Sequence, residues 1–259
     1  MPGVDFTRAL VISARPWSES SRIVTILSPD LGKFRAVCRG VQKAQGGMAA
    51  ALEPITLSEI VLRQSGRGGM AHISAADAVE YFASTKKSLI GLAAAGGLLE
   101  LCETAMPENE PGDAVFDHLL TLLNELEGLL RKREHSERNA INLLWRGILV
   151  LSGDFGYGMQ FENCVACGAL RPRAKGFCLA EGGPVCDACS VPNTLNWGPG
   201  TEETLRWLAA AEDSALPERT IPRTQNREIR TLFERYFRFH VPGFDHLRSL
   251  DMLVTERDQ

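Results

Sequence analysis

The sequence lacks any long apolar run, and no stretch reaches the about 18 residues that a transmembrane helix needs. The N-terminal MPGVDFTRAL also lacks a cationic head followed by an apolar segment, which argues against a secretory signal peptide. We therefore expect a cytoplasmic protein that does not act in a membrane. Thiols are kept reduced in that compartment, so clustered cysteines there indicate metal ligands or redox groups rather than structural disulfides.

An excess of charge of one sign is also missing. The chain has 28 Lys and Arg against 32 Asp and Glu, which gives a formal net charge of −4. The whole protein is thus not an obvious binder of polyanions, and a nucleic-acid role would require local basic surfaces. The length of 259 residues fits two or three domains.

The motifs of several enzyme classes are absent. There is no Gly-x-x-x-x-Gly-Lys-Ser/Thr phosphate-binding motif, no dinucleotide-binding fingerprint and no Gly-x-Ser-x-Gly nucleophile elbow. The five histidines are scattered and form no obvious catalytic pair. These absences favour a binding protein over an enzyme.

Cysteine is scarce outside one short segment. Five of the seven cysteines lie between residues 164 and 189, and four of them form the pattern Cys164-x2-Cys167-x18-Cys186-x2-Cys189. Two Cys-x2-Cys turns at this separation are typical of a tetrahedral zinc site. Four thiolates fill the coordination shell, so we expect a structural Zn²⁺ rather than a catalytic one. Cys178 lies between the turns and is expected to be a small buried side chain.

A zinc-dependent enzyme is the competing interpretation of the cysteine cluster. Zinc-dependent base deaminases carry His-x-Glu followed by Pro-Cys-x-x-Cys, and this chain has His135-Ser136-Glu137 and later Pro184-Val185-Cys186. The proline is one residue too far from the cysteine, and Cys164 and Cys167 would have no role. A zinc-containing nuclease would also fit a cysteine cluster, as would an adaptor that binds a protein through its zinc module.

The pattern of apolar residues changes along the chain from that of strands to that of helices. Five β-branched or apolar runs between residues 5 and 81, separated by turn residues, predict a small closed barrel. Apolar residues then recur at helical spacing from Leu89 onward. We predict an α+β protein of three parts: an oligonucleotide-binding (OB) barrel at 1–82, an all-helical domain at 83–158 and 198–259, and a four-cysteine zinc module inserted at 159–197.

One strand of the predicted barrel is basic. Between Leu31 and Leu52 the only charged residues are Lys33, Arg35, Arg39 and Lys43. Strand alternation places Lys33, Arg35 and Arg39 on one face and Phe34, Ala36 and Cys38 in the core. Such a face could hold a nucleic-acid backbone, or it could be a solvated strand whose charges discourage aggregation.

Two features of the first two strands could extend this basic face. Arg22 begins the second strand, and Arg15 lies beside Trp17 near the end of the first. Trp17 either stacks on a base or fills the core, and a lone tryptophan more often fills the core.

Four segments of the sequence together resemble the bacterial RecO family of DNA repair and recombination proteins. They are ALVISARPWSESSRIVTILSPDLGKFRAVCRGVQK, LLWRGILVLSGDFGYGMQFENCVACG, FCLAEGGPVCDAC and IRTLFERYFRFHVPGFDHLRSLDML. The cysteine framework is the most specific of these motifs. One departure follows Gly40-Val41, where related proteins often carry a denser run of Arg, Lys and Ser.

The resemblance implies a recombination mediator without catalytic turnover. Such proteins bind single- and double-stranded DNA, anneal complementary strands and, with RecR and sometimes RecF, help RecA load onto DNA coated by single-strand DNA-binding protein. On this chain the implied DNA contacts are Lys33, Arg35, Arg39 and Lys43, in the cytoplasm near the nucleoid. The implied zinc ligands are Cys164, Cys167, Cys186 and Cys189.

A second expectation concerns the acidic, apolar tail of single-strand DNA-binding protein. We expect it to dock in a groove of the helical domain that has a basic rim. The candidates for the rim are Arg131, Lys132, Arg133 and Arg138. An exposed run of charge between two helices would give the same sequence pattern.

Overall fold

The computed structural model describes residues 4–40, 47–63, 70–132, 136–170, 173–210 and 219–253. Its first part holds five strands and one short helix. They are β1 (Val4–Pro16), β2 (Arg22–Ser28), β3 (Gly32–Cys38), α1 (Met48–Ala51), β4 (Thr56–Arg63) and β5 (Ala71–Glu80).

The five strands close into a barrel in the order β1-β2-β3-β5-β4, with β4 paired back to β1. The pairs are antiparallel except β3 with β5. A five-stranded barrel of this kind is the architecture of oligonucleotide-binding folds, so the predicted fold class is confirmed. Phe34, Ala36 and Cys38 point into the barrel core, as the alternation along β3 predicts.

Helices follow the barrel, with a three-stranded sheet inserted among them. The elements are α2 (Ala83–Lys86), α3 (Leu89–Ala105), α4 (Asp113–Lys132), α5 (Ser136–Asp154), β6 (Ala174–Cys178), β7 (Gly183–Cys186), β8 (Thr194–Asn196), α6 (Thr201–Ala210), α7 (Arg223–His240) and a 3₁₀ helix (Arg248–Leu253). The N-terminus of α3 is capped by Ser88, whose Oγ accepts a hydrogen bond from the Gly91 N–H at 3.3 Å. Among the described helices, none is long and apolar enough to cross a membrane.

The helices share a hydrophobic core with one side of the barrel. Leu10, Ile12, Leu27, Ile55 and Leu57 belong to the barrel strands or their connections, yet they pack in the same cluster as the buried residues of α3 and α4. The barrel interior forms a second, smaller cluster. The boundaries proposed above for the three parts stay predictions, but these two cores show that the barrel is docked against the helices through its outer surface.

The inserted sheet is anchored to the helices by aromatic side chains. Phe177 on β6 is fully buried, and its ring centroid lies 6.0 Å from that of Tyr236 on α7. Phe161 and Trp197 flank the same ring at 5.7 and 5.9 Å. This contact fixes the position of the cysteine-bearing segment relative to α7.

Candidate metal centre and nucleic-acid interface

Each pair of metal-ligand candidates lies on a tight turn. After the first pair, Gly168 adopts a left-handed conformation with φ +73°, which favours glycine, and its N–H donates to the Cys164 carbonyl at 2.8 Å. In the second pair, the Cys189 N–H donates to the Cys186 carbonyl at 3.1 Å. Two hydrogen bonds hold the second pair beside the first turn: the Val165 N–H donates to the Pro184 carbonyl at 3.0 Å, and the Cys186 N–H donates to Cys164 Sγ at 3.4 Å.

The four sulfur atoms fit the ligand shell of one metal ion. The Sγ atoms of Cys164, Cys167, Cys186 and Cys189 all lie within 4.8 Å of one another. A tetrahedron with Zn–S bonds of about 2.3 Å has S–S edges of about 3.8 Å, and the Cys167 and Cys186 sulfurs are 3.8 Å apart. That separation is far longer than a disulfide bond of about 2.05 Å. The residues present therefore suit a tetrathiolate metal site.

Two of the four thiols, Cys164 and Cys189, have pKa values shifted in opposite directions. Burial opposes ionisation of Cys164, but hydrogen bonds from the backbone N–H groups of Cys186, Cys167 and Ala166 outweigh it and lower its pKa to about 6. Hydrogen bonding to Cys186 and Cys167 raises the pKa of Cys189 to about 12. Four thiolates this close repel one another, so a bound cation is what would allow them all to ionise.

The other cysteines lie outside this cluster. Cys178 is fully buried and its Sγ contacts the Pro192 carbonyl at 3.7 Å, as expected for a small core side chain. Cys38 and Cys102 are buried in the barrel and in α3, and burial raises the pKa of Cys102 to about 12. Such thiols remain protonated and are poor metal ligands.

The basic strand β3 departs from the sequence expectation at its first cation. Lys33 is only 5% exposed, and its Nζ donates a hydrogen bond to the backbone carbonyl of Glu103 near the end of α3. The predicted position of Lys33 on the exposed face is therefore wrong. The physical reason is that this end of β3 packs against α3, so the outward face of the strand meets protein instead of solvent.

Three neighbouring arginines are exposed or half-buried, and each meets a carboxylate. Arg35 pairs with Glu108 at 2.8 Å, Arg15 with Glu103 at 3.4 Å. A third pair joins Arg22 to Glu53 at 2.7 Å. The basic face is thus partly neutralised, although no acidic residue lies between Leu31 and Leu52, because these carboxylates come from segments outside β2 and β3.

Arg39 lies in a different setting. It is exposed, and no ion pair involves it within the described part of the chain. Arg39 lines an open cavity of about 310 Å³ together with Met48, His72, Ile73 and Ser74. Lys43, the other cation predicted here, lies outside the described residues.

Trp17 follows β1 in the connection to β2 and is 66% exposed, so the core role considered for it is wrong. Its backbone N–H donates to the Ser21 carbonyl at 2.9 Å, which closes the turn between the strands. An exposed indole ring at the end of a barrel strand is available to stack on a flat partner.

The cations predicted to rim a groove lie around the α4–α5 connection. Arg131 and Lys132 at the end of α4 are exposed, and Arg131 lies 3.5 Å from Glu127. Arg138 on α5 is exposed and donates to Thr220 Oγ1 at 2.7 Å. Arg133 lies outside the described residues.

Comparison with known protein families accounts for both parts of the fold. A family model described as "Recombination protein O N terminal" matches residues 5–82, and one described as "Recombination protein O C terminal" matches residues 86–251. The chain belongs to the RecO family. The first match coincides with the barrel, and the second spans the helices and the cysteine cluster.

Several RecO relatives are similar over most of their length. The chain is 27% identical over 243 residues to the DNA repair protein RecO of Anaeromyxobacter dehalogenans (strain 2CP-C), covering 90% of this chain and 89% of that protein. It is 28% identical over 236 residues to the protein of that name from Pelotomaculum thermopropionicum, with coverage of 90% and 88%. The protein from Myxococcus xanthus is 30% identical over 183 residues, which are 71% of each chain.

Two basic residues near the cavity of this RecO-family barrel are not among those that the sequence pattern of β3 predicts. Arg63 at the end of β4 is the cross-strand partner of His72 on β5, and His72 in turn faces Val37 on β3. Their signal was available, because residues 63–76 contain Arg63, Arg67 and His72 but no Asp or Glu. The parallel pairing of β3 with β5, which brings them beside Arg39, could not be read from local pattern.

Proposed function

We propose that this protein is a DNA-binding recombination mediator that acts in DNA repair. It binds single- and double-stranded DNA, anneals complementary strands and helps load RecA onto DNA coated by single-strand DNA-binding protein. The observation that carries the proposal is the match of RecO family models to both the barrel and the helical region, at residues 5–82 and 86–251.

The surface that we propose for DNA lies around the open cavity beside Arg39. The residues that line it come from two segments of the sequence, 39–52 and 63–76, and neither segment contains an Asp or Glu. Arg39 and His72 line the cavity, Arg63 is the cross-strand partner of His72, and Lys43 and Arg67 belong to the same two segments of the sequence. A basic region without carboxylates concentrates positive potential where a phosphate backbone can bind.

Other residues contribute less directly to this surface. The exposed ring of Trp17 supplies a platform on which an unpaired base can stack. Arg35 and Arg22 are weaker candidates for phosphate contacts, because each is held by a carboxylate. Lys33 is not proposed as a contact, since its ammonium group is buried.

The proposed mechanism is electrostatic. Lys and Arg side chains neutralise phosphates on two strands and thereby lower the repulsion that opposes their encounter. No proton is transferred and no covalent bond is made or broken in this process. Binding also releases condensed counterions, so affinity and annealing rate should fall steeply as salt increases.

We propose Zn²⁺ as the ion of the four-cysteine site, with a structural role. All four positions of the tetrahedron would be taken by Cys164, Cys167, Cys186 and Cys189, which leaves no open position for a substrate. The ion would supply cross-linking of the two turns, and the protein would act without catalytic turnover. This distinguishes the mediator from a zinc-dependent deaminase or nuclease.

The proposed partners follow from membership of the family. They are RecR, in some settings RecF, and the C-terminal tail of single-strand DNA-binding protein. For the tail, the exposed cations Arg131, Lys132 and Arg138 support a basic rim, although Arg131 and Arg138 also contact Glu127 and Thr220.

The first test is annealing of two complementary oligonucleotides, one of them fluorescent, across a salt series. We expect the protein to accelerate duplex formation, and the acceleration to fade as salt rises. Arg39→Ala should slow annealing several-fold. Arg8→Ala is the matched control, because Arg8 is also exposed on the barrel but has Glu59 as its cross-strand neighbour.

The same reactions are then run on a denaturing gel. Intact strands together with accelerated annealing support the mediator, whereas absence of both binding and annealing would overturn it. Cleaved or modified strands would favour a zinc-dependent enzyme instead. An equal effect of Arg39→Ala and Arg8→Ala would remove the cavity from the proposed DNA surface.

A further inference from the structure

Two carboxylates lie across the cationic outer face of β3. They belong to the end of α3 and the connection to α4, residues 103–110, which we call the acidic connection. Glu108 Oε1 lies 2.8 Å from a terminal nitrogen of Arg35, and Glu103 Oε1 lies 3.4 Å from one of Arg15. A carboxylate in this position meets the guanidinium group as a DNA phosphate would.

The acidic connection is held against the barrel by several hydrogen bonds. The Asn109 N–H donates to the Lys33 carbonyl at 2.8 Å, and the Lys33 Nζ donates to the Glu103 carbonyl. The Glu103 carboxylate accepts a hydrogen bond from Ser13 Oγ at 2.7 Å. Gly32 allows the closest approach, because a Cβ there would lie 1.7 Å from the Glu110 carbonyl oxygen. The carboxylates are therefore built into the contact between barrel and helices.

The two ends of the outward face of β3 differ as a result. Near the acidic connection, Arg35 and its neighbour Arg15 on β1 have fixed carboxylate partners. At the far end of the strand, Arg39 borders the open cavity together with His72, and the sequence segments that contain these two residues hold no Asp or Glu within 39–52 and 63–76. A polyanion approaching the Arg35 end meets negative charge beside each arginine, whereas Arg39 has no ion-pair partner among the described residues.

We infer that Glu103 and Glu108 determine where DNA binds on the barrel, by competing with phosphate for Arg15 and Arg35 and so directing the DNA strand to the Arg39 end of this face. This inference rests on the proposed function and assigns these two residues a part in its specificity. It also assigns the acidic connection a function beyond joining α3 to α4.

The Glu108 carboxylate competes only weakly with DNA phosphate for Arg35 and does not prevent phosphate from binding there. The Arg35 side chain is 55% exposed and that of Glu108 42%, and ion pairs this accessible to water are weak and screened by salt. Freeing Arg35 should therefore strengthen DNA binding by about two- to fivefold at low salt. The gain should shrink as salt increases, because screening weakens the competition and the new phosphate contact alike.

The test compares binding of single-stranded DNA by four variants of the full-length protein. Glu108→Gln keeps the size of the side chain and removes its charge, so we expect it to bind DNA about two- to fivefold more tightly. Glu110→Gln removes an equal charge from the same connection, at a side chain that pairs with no arginine in the described segments. Arg35→Ala alone should have little effect, and Arg35→Ala combined with Glu108→Gln should lose the gain.

Each result bears on the inference. A tighter Glu108→Gln protein whose gain disappears in the double variant supports it. Equal effects of Glu108→Gln and Glu110→Gln, or a gain that survives Arg35→Ala, would overturn it while leaving the proposed function in place. If neither the wild type nor Glu108→Gln binds DNA, the proposed function itself fails. Glu103 is not substituted, because its carboxylate also holds Ser13 and Thr25.

Discussion

Lys33 carries an ammonium group into the contact between β3 and α3. Burial lowers its pKa, while the nearby negative charges of Glu108 and Glu103 oppose that shift. Its hydrogen bond goes to the Glu103 carbonyl, which lies in the last turn of α3, where carbonyl groups lack partners within the helix and the helix dipole favours a cation. Lys33 therefore acts as a cap for the end of α3.

Replacement of Lys33 should accordingly affect stability more than DNA binding. We expect Lys33→Ala to lose about 1–3 kcal/mol of unfolding free energy, because a buried carbonyl loses its donor, and to change affinity for single-stranded DNA little. Arg39→Ala should do the opposite, since its side chain is exposed. Urea unfolding and a fluorescence binding assay measure both effects. If Lys33→Ala binds DNA as poorly as Arg39→Ala while remaining equally stable, the capping role is wrong.

At the residue scale, strand alternation predicted which side chains of β3 enter the barrel core. It could not predict which outward side chains meet water, because that depends on α3, about 70 residues further along the chain. The pairing of Arg35 with Glu108 was hidden for the same reason. Trp17 illustrates the converse: base rates for tryptophan favour the core, whereas here the ring projects from the connection between two strands.

Among the elements, the inserted sheet depends most on support from outside itself. Its strands β6, β7 and β8 contain only five, four and three residues, too few to form an independently stable sheet. Phe177 ties β6 to α7 through Tyr236, while the four cysteines bring the two Cys-x2-Cys turns together. Aromatic packing and metal ligation are thus two separate supports of one small module.

We predict that the purified protein binds one Zn²⁺ and that Cys164→Ser binds much less. Loss of the ion should lower stability by at least ~3 kcal/mol, because a closed site contributes binding free energy to folding. That loss should lower the melting temperature by several degrees. Metal analysis and thermal unfolding measure the two effects.

Cys178→Ala provides the matched control for this experiment. It also removes one thiol from the module, but its sulfur lies outside the cluster, near the Pro192 carbonyl. The control should keep the full metal content and lose only the stability that a buried sulfur contributes. Metal loss in both variants, or a metal-free wild type, would show that the cysteine cluster is not a zinc site.

At the element scale, the sequence predicted the cysteine cluster well because the spacing of the ligands is itself the chemical requirement. Cys164 to Cys189 form both turns locally, and the pairing of β6 with β7 needs only a short hairpin. What could not be predicted is the helix against which this module rests. Phe177 and Tyr236 are nearly 60 residues apart. The local sequence around an aromatic residue in a strand does not indicate which distant residue it packs against.

On the scale of the whole molecule, the barrel and the helices are joined through two kinds of contact. Apolar side chains of the barrel, including Leu10, Ile12 and Leu27, enter the helical core. Polar contacts then align β3 with the acidic connection, including the hydrogen bond from Asn109 to Lys33. The order of the parts was predictable from the change in periodicity, but the face that the barrel presents to the helices was not, because both faces of β1 are apolar.

Alanine substitutions at Gly32 and Gly40 test how rigid the contact is between the barrel and the acidic connection. Both have positive φ, +66° and +71°, so alanine at either position costs about 1–2 kcal/mol of backbone strain. Only at Gly32 would the added Cβ collide with the acidic connection, 1.7 Å from the Glu110 carbonyl oxygen, whereas at Gly40 it would meet no described atom within 4 Å. The difference in unfolding free energy between the two variants therefore measures the contact at Gly32 separately from the backbone strain.

We expect Gly32→Ala to lose roughly 3–5 kcal/mol of unfolding free energy, the range of a severe packing defect, and Gly40→Ala to lose only its backbone strain. Urea unfolding followed by tryptophan fluorescence gives both values. Equal losses would mean that the acidic connection moves aside without cost. In that case Glu108 would not be held in place at Arg35, and any increase in DNA affinity in Glu108→Gln would need an explanation other than a fixed competitor. A larger loss at Gly32 would show that the contact which positions the carboxylates also helps to hold the two parts of the molecule together.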